Sequence, residues 1–515
     1  MNARPGWVYL VGAGPGDPGL ITRRGLELLR SCDVVLHDRL VAPELLDEAR
    51  PTAERIFVGK AAGEPSLPQA SIDALAVSHA RAGRSVVRLK GGDPYVFGRG
   101  ADEGQALAAA GIRFEIVPGV TSAIAAPAYA GIPVTHSGVS SSFAVVTAHE
   151  SADRPASERR WRALAESADT IVLLMGVKAL GESARKLIDA GRDPAEPAAL
   201  VEWGTTSRQR VVAGELANIA DLAEEAGIGP PATAIVGEVV RLRSALDWFS
   251  ARPLFGKRIV VTRARHQARS LGDRLAQLGA HVLYLPVIEI ADPPSWDEVD
   301  GAIKRLAEGL YSWIMLTSAN AFEKLVERAL DIGFDLKIFL HAKVAVVGRQ
   351  TANLVEEHGL RVDKIPESFT GEGLARDFRR GQGRILLPRV AGAPGEIVEI
   401  LRSAGWSVDE VVAYTNVVPA ESPTADAIRT GEFDAVTFTS PSTVRNFVKL
   451  AGPPEDLGLS VADAPERLVA CIGPKTAKAA EEAGMRVDAT AAEPSAAGLA
   501  WALVGAAVEA QHQSS

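Results

Sequence analysis

Cysteine is nearly absent: 515 residues hold two, Cys32 and Cys471, with no CxxC pair. That scarcity excludes a disulfide framework and a cysteine-built zinc site, and it fits a reducing cytoplasm. There is no excess of positive charge either. The net charge is -9, so the chain carries no electrostatic footprint for nucleic acid or an anionic membrane. An anionic small-molecule substrate stays open, because a few local arginines can serve one. The first residues, MNARPGWVYL, lack the long apolar run of a secretory signal. The most apolar stretch, 116–134, is broken by Pro118, Gly119, Pro127, Gly131 and Pro133. Such punctuation predicts a buried loop and helix, and no membrane span.

A further lack concerns one glycine. Residues 8–18 read VYLVGAGPGDP, a strand running into a glycine loop. A dinucleotide loop beginning at Gly12 needs its third glycine at position 17, which is Asp17. Pro15 stiffens the turn and removes a backbone donor that a phosphate cradle would use. A pyrophosphate cofactor is therefore disfavoured, and with it redox chemistry.

What is present is an ordinary globular composition, 47% hydrophobic and 23% charged. The length suggests about three or four domains. Apolar strands alternate with amphipathic helices throughout, which predicts an α/β fold. Strands are expected at 8–11, 34–37, 85–89, 114–117, 143–147, 170–175, 234–240 and 258–262. Asp17 is placed to cap a helix running from Pro18 to about Arg30. A seam falls near 250–257.

Beyond the seam the sequence repeats itself. Residues 344–363, VAVVGRQTANLVEEHGLRVD, and 469–488, VACIGPKTAKAAEEAGMRVD, agree at eleven of twenty positions at an offset of 125. Upstream, Ile314–Ser318 is echoed by Val436–Ser440. Each copy reads as a strand ending in Thr-Ser, a helix, then a strand ending in Gly with a Thr-capped helix. A duplication of this kind predicts two similar lobes with a ligand cleft between them.

In the first half, the segments at 8–29, 33–41, 86–100, 117–136, 170–177, 199–212 and 231–242 together resemble the tetrapyrrole methylases, and within them uroporphyrinogen-III C-methyltransferase. The resemblance spans about 5–249. It implies S-adenosyl-L-methionine as cofactor, held by Pro15, Gly91, Gly92, Asp93, Val96, Thr121, Ser122, Met175 and Gly204. The residue chemistry agrees: bare backbone and one carboxylate at a strand end suit a ligand that carries ribose and ammonium but no phosphate. Asp38 is the expected general base, since methylating a ring carbon leaves a cation that must shed a proton. Lys60 matches a position given a proton-donor role. Arg39, Arg88 and Arg99 are candidates for the substrate's carboxylates. Ala61 follows Lys60 and Ser137 follows His136, where related enzymes often carry arginine.

The duplicated half resembles uroporphyrinogen-III synthase over about 255–505, through IVVTRAR (259–265), LTSANAF (316–322), VVGRQTA (346–352), LLPRV (386–390), VVAYTN (411–416), FTSPSTV (438–444) and CIGPKTA (471–477). Such enzymes close hydroxymethylbilane into uroporphyrinogen III with inversion of one ring. Thr262, Arg263, Thr317, Ser318, Ser440, Ser442 and Thr476 are expected to hold substrate carboxylates, and Tyr414 to help the hydroxyl leave.

The expected architecture is thus a two-lobed methylase fold (1–136 and 137–250) followed by a duplicated, Rossmann-like or flavodoxin-like synthase module. One synthase lobe would hold 256–288 with 418–508, and the other 290–415. The implied activity converts hydroxymethylbilane to precorrin-2, feeding sirohaem or cobalamin synthesis. Implied alongside are a cytoplasmic location, no metal, no nucleic-acid or membrane partner, and a homodimer through the methylase half. The alternative is a methylase of another corrin precursor fused to a tetrapyrrole-binding sensor.

Overall fold

The computed structural model describes residues 2–59, 67–147, 158–263, 265–367, 370–420, 422–461 and 467–513. Among the described residues, twenty strands form four five-stranded sheets. The first sheet contains β1 (Trp7–Gly12), β2 (Val34–His37), β3 (Glu54–Phe57), β4 (Val86–Lys90) and β5 (Arg113–Val117), in the order β3-β2-β4-β1-β5. All its pairings are parallel. Every loop that leaves a strand's carboxyl end therefore emerges at one edge, where open α/β sheets bind ligands. Val8, Leu10, Val34 and Val86 face one apolar layer; Tyr9, Val11, Val35 and Val87 face the other. Alternation along doubly covered strands explains their near-continuous hydrophobicity.

The second sheet holds β6 (Phe143–Thr147), β7 (Thr170–Leu174), β8 (Pro197–Glu202), β9 (Arg210–Glu215) and β10 (Ala232–Val236), in the order β6-β7-β10-β8-β9. Only β6 and β7 pair in parallel; the other three pairings are antiparallel. The expected strand at 234–240 stops at Val236. At Gly237 the chain passes so close to the neighbouring strand that a Cβ would lie 2.9 Å from the Asp169 carbonyl oxygen, and a 3-10 helix follows over Glu238–Leu242. The helix expected over 18–30 is also broken. Asp17 caps a single 3-10 turn, Pro18–Leu20, and Thr22 caps a separate helix, Arg23–Leu29.

The second half contributes β11 (Arg258–Val261), β12 (His281–Tyr284), β13 (Glu289–Ala291), β14 (Trp313–Leu316), β15 (Lys343–Val346), β16 (Arg384–Val390), β17 (Ser407–Val417), β18 (Ala435–Phe438), β19 (Leu468–Cys471) and β20 (Ala489–Thr490). One sheet runs β12-β11-β18-β19-β20, all parallel. The other runs β13-β17-β16-β14-β15, parallel except for its edge strand β13. The chain passes between these sheets at 285–288 and again after Val417.

The sequence repeat is visible in detail. β15 and β19 start 125 residues apart, as do the helices Arg349–Glu357 and Pro474–Glu482. In each copy the aspartate of Arg-Val-Asp clips the strand: Asp363 accepts from the Val344 amide at 2.9 Å, and Asp488 from the Val469 amide at 2.8 Å. The helices do not open on threonine as expected. Gly348 and Gly473 are their N-caps, while Thr351 and Thr476 are buried at the third helical position.

The two halves touch across the seam. The Phe249 ring packs between Tyr129, at 4.8 Å, and Phe255, at 5.4 Å, and Arg269 of the second half pairs with Glu48 of the first. Among the described residues no helix is long and apolar enough to cross a membrane.

Candidate active sites

Three loops meet at the carboxyl edge of the first sheet, following β1, β4 and β5. Gly14 and Gly92 exchange backbone hydrogen bonds in both directions, at 3.2 and 2.7 Å. A Cβ at Gly12 would lie 2.5 Å from the Gly119 Cα, and one at Gly119 would lie 2.3 Å from the Gly92 carbonyl oxygen. Bare backbone is thus required where the loops cross. Asp93 fastens them: one carboxylate oxygen accepts from the Tyr95 amide at 2.7 Å, the other from the Gly119 amide at 2.9 Å. Its carboxylate is already committed to the loops, with only its remaining lone pairs free for a ligand.

Asp17, the residue that broke the dinucleotide spacing, joins the two lobes. Its backbone amide donates to Thr205 Oγ1 at 3.1 Å, and its carboxylate accepts from the Gly19 amide and the Tyr129 hydroxyl, both at 2.7 Å. Burial, reinforced by that bond to Asp17, raises the Tyr129 pKa well above the usual phenol range. From the second lobe come Met175 and the Trp203–Thr205 turn. Met175, Trp203 and Thr205 all have left-handed backbones, with φ of 56°, 47° and 73°. Strain of this kind persists only where the surroundings hold it, and it gathers at functional sites. Gly204 between them packs on the helix Ser122–Tyr129, where its Cβ would lie 2.5 Å from that of Ala126. Thr121 caps this helix and Ser122 opens it. Pro15 is half-buried, and Val96 and Met175 are exposed. Backbone, a carboxylate and exposed apolar side chains fit a cationic, phosphate-free cofactor such as S-adenosylmethionine.

Asp38 follows β2 directly, and a Cβ on Gly91 would lie 3.9 Å from its Oδ1. Arg88, expected as a carboxylate clamp for substrate, is 5% exposed and turned inward. It donates to Asp38 Oδ2 at 3.3 Å and to the carbonyls of Leu36 and Leu89. A guanidinium so committed has no face left for the open pocket. Arg39 is exposed, and Arg99 is paired with Asp102 at 3.2 Å on the surface. Lys60 lies outside the described residues. Three further charged groups escaped the sequence reading. Lys90 and Glu103 are both buried, 2.7 Å apart. Burial first, then the Arg88 charge, lowers the Lys90 pKa against the pull of Glu103. Arg208 lies 3.7 Å over the Trp203 ring; burial, opposed by Glu202 and aided by the charge of Arg39, lowers its pKa. Two charges two residues apart on a central strand, Arg88 and Lys90, were the available signal.

In the second half the candidates are hydroxyls. Ser318 caps the helix Ala319–Asp331, and its Oγ lies 3.1 Å from the hydroxyl of the buried Tyr414. Thr317 precedes it. Ser440 caps Pro441–Ala451 in a capping box with Thr443, and its Oγ lies 2.9 Å from Ser442 Oγ. The Tyr414 group and the Ser440 group stand at the ends of different sheets. Two candidates turn away from solvent. Thr262, 1% exposed, donates to the Thr437 carbonyl within its sheet at 2.9 Å, and Thr476 is buried in its helix. Arg263, just after β11, is exposed. Thr439, the counterpart of Thr317 in the repeat, was missed; its Oγ1 is buried without a hydrogen-bond partner.

One half thus carries a glycine-loop site with a carboxylate beside it, and the other carries two hydroxyl groups on separate sheets, so the chain holds two candidate centres. The chain belongs to the tetrapyrrole methylase and uroporphyrinogen-III synthase families, carrying both in one polypeptide. Residues 7–220 match the tetrapyrrole (corrin/porphyrin) methylases, and residues 269–500 match uroporphyrinogen-III synthase HemD. The porphyrin biosynthesis protein HemD of Ruminiclostridium josui is 40% identical over 488 residues, covering 93% of this chain and 94% of its own. The S-adenosyl-L-methionine-dependent uroporphyrinogen III methyltransferase of Methanosarcina barkeri is 50% identical over 246 residues, 48% of this chain and 96% of its own. A Thermus thermophilus uroporphyrin-III C-methyl transferase structure complexed with S-adenyl homocysteine is 42% identical, with TM-score 0.40, covering 46% of this chain and 99% of that one.

Proposed function

We propose that the chain makes precorrin-2 from hydroxymethylbilane. The second half closes the linear tetrapyrrole to uroporphyrinogen III with inversion of ring D, and the first half methylates the product at C2 and C7. The observation that carries this reading is the juxtaposition of Asp38 with the Gly91–Asp93 loop in a chain that holds both families. S-adenosylmethionine supplies the methyl group. The loops after β1, β4 and β5 hold the donor against the macrocycle, and Asp38 takes the proton that the methylated ring sheds. Arg39, with Arg208 near enough to feel its charge, supplies cations for the substrate's carboxylates. In the second half, Tyr414 with Ser318 assists departure of the terminal hydroxyl, and the hydroxyls after β14 and β18 hold carboxylates. Ring closure through a reactive electrophile needs shape control more than a strong base.

The four lobes of this reading are 1–136, 137–250, 256–288 with 418–508, and 290–415, and the four separate sheets support them. A homodimer through the methylase half and a cytoplasmic location belong to the same reading. The buried free thiols Cys32 and Cys471 support the latter. The test is to give purified protein hydroxymethylbilane with and without S-adenosylmethionine, then analyse isomer and mass. Uroporphyrinogen III alone, and its dimethylated product with cofactor, are expected. Uroporphyrinogen I as sole product without cofactor overturns the synthase half; an unmethylated product with cofactor overturns the methylase half.

A further inference from the structure

β4 is a central strand, yet it carries two cations on one face. Val86, Arg88 and Lys90 alternate toward the layer formed by Ile72, Ala76 and Leu107, while Val87 and Leu89 face the other way. Arg88 and Lys90 are each 5% exposed, and Glu103, 4% exposed, reaches them from the helix Gly100–Ala109. Glu103 Oε1 accepts from Lys90 Nζ at 2.7 Å and from Gln69 Nε2 at 3.2 Å, and it lies 3.6 Å from Arg88 Nε. Two buried cations against one buried anion leave one positive charge over. The group that completes the balance is Asp38, 3.3 Å from Arg88 at the mouth of the site.

The cluster is a poor structural device. Arg88 Nε and Glu103 Oε2 are buried without hydrogen-bond partners. Well-packed apolar residues of similar volume ordinarily serve stability as well or better. Its cost is explained if its purpose lies at the site it touches.

We propose that Arg88, itself held by Glu103, is the positioning residue for Asp38: its guanidinium fixes the carboxylate toward the Gly91 loop and balances its charge. This rests on the reading of Asp38 as the base. The Glu103–Lys90 pair, with the Leu36 and Leu89 carbonyls that Arg88 also donates to, holds the guanidinium in place.

The full chain is assayed for methylation of uroporphyrinogen III at saturating S-adenosylmethionine, as Asp38→Asn, Arg88→Met and the double variant. S-adenosylhomocysteine binding by calorimetry reports whether the methylase half is folded. Arg88→Met is expected to lower kcat roughly 10- to 100-fold, with KM and S-adenosylhomocysteine affinity within about threefold of the parent. In the Asp38→Asn background the same substitution is expected to cost nothing further. Losses that multiply in the double variant, or a loss confined to KM, overturn the positioning role. A parent-like rate for Asp38→Asn overturns the base reading itself, a distinct outcome. Should Arg88→Met fail to fold, Arg88→Lys carries the same cycle, since it keeps the charge and loses the fork.

Discussion

In the methylase half, the strand ends carry glycines and charges: Gly12, Gly92 and Gly119 in backbone contact, with Asp38, Arg88, Lys90 and Glu103 behind them. In the synthase half, the equivalent strand ends carry hydroxyls: Thr317 and Ser318 after β14, with Tyr414 reaching them from within β17, and Thr439, Ser440 and Ser442 after β18. In both halves these candidate residues gather at the carboxyl edge of parallel sheets, yet the edges are furnished differently. Methyl transfer leaves a proton to be removed, so a placed carboxylate and its counter-charges are useful. Ring closure of a self-reactive chain mainly needs the right shape, which capping hydroxyls and backbone amides can provide.

The sharpest way to break this comparison is Gly119→Ala. The added Cβ would meet the Gly92 carbonyl oxygen at 2.3 Å, and a shift there separates the loops. Calorimetry should show no S-adenosylhomocysteine binding and turnover no methylation, while the synthase rate of the same chain stays at parent level. Loss in both halves would mean that they are not independent. Next comes Tyr414→Phe, which removes the hydroxyl 3.1 Å from Ser318. Formation of uroporphyrinogen III should slow roughly tenfold, with methylation of supplied uroporphyrinogen III unchanged. An unaltered synthase rate would remove Tyr414 from the site.

Smaller effects test the duplication and the charges. Asp363→Asn and Asp488→Asn each remove the carboxylate that clips a repeat strand, so each should cost about 1–3 kcal/mol in denaturant unfolding. A large effect from one and none from the other would show that the copies have diverged in how they hold together. The smallest effect concerns Asp169 in the methylase half. Hydrogen bonds from the Ser141 amide, then the Ser141 and Ser142 hydroxyls, hold its pKa below the ordinary carboxylate value. A depressed folded-state value means stability present above the unfolded value of about 3.9 and lost as pH falls through the folded one. Asp169→Asn should therefore lower the thermal midpoint at pH 7, and the gap to the parent should close on acidification. A gap that persists at low pH would assign the effect to packing.

Much of this was legible in the chain itself. Doubly covered strands advertise themselves as apolar runs, so β1, β2, β7 and β11 fall where expected, to within a residue at either end. The edge strands β3 and β9 were missed, because partly exposed strands mix polar residues into their pattern. The 125-residue repeat was plain, yet the role of its threonines was not: Thr476 turned out buried in the first turn rather than capping it. Arg88 was read as a substrate clamp because sequence gives its charge and not its direction.

The sequence by itself determined the α/β class and the duplication, which follow from local pattern and spacing, and the two families, through the motifs that resemble theirs. Only the tertiary structure decided which charges meet. Glu103 is distant from Asp38 along the chain and sits on a helix whose docking alone brings it to Arg88. Asp17 likewise reached Thr205 of the second lobe through packing. Local pattern sets what each segment becomes; long-range packing sets which side chains share a buried space, and buried space is where a charge acquires its partner.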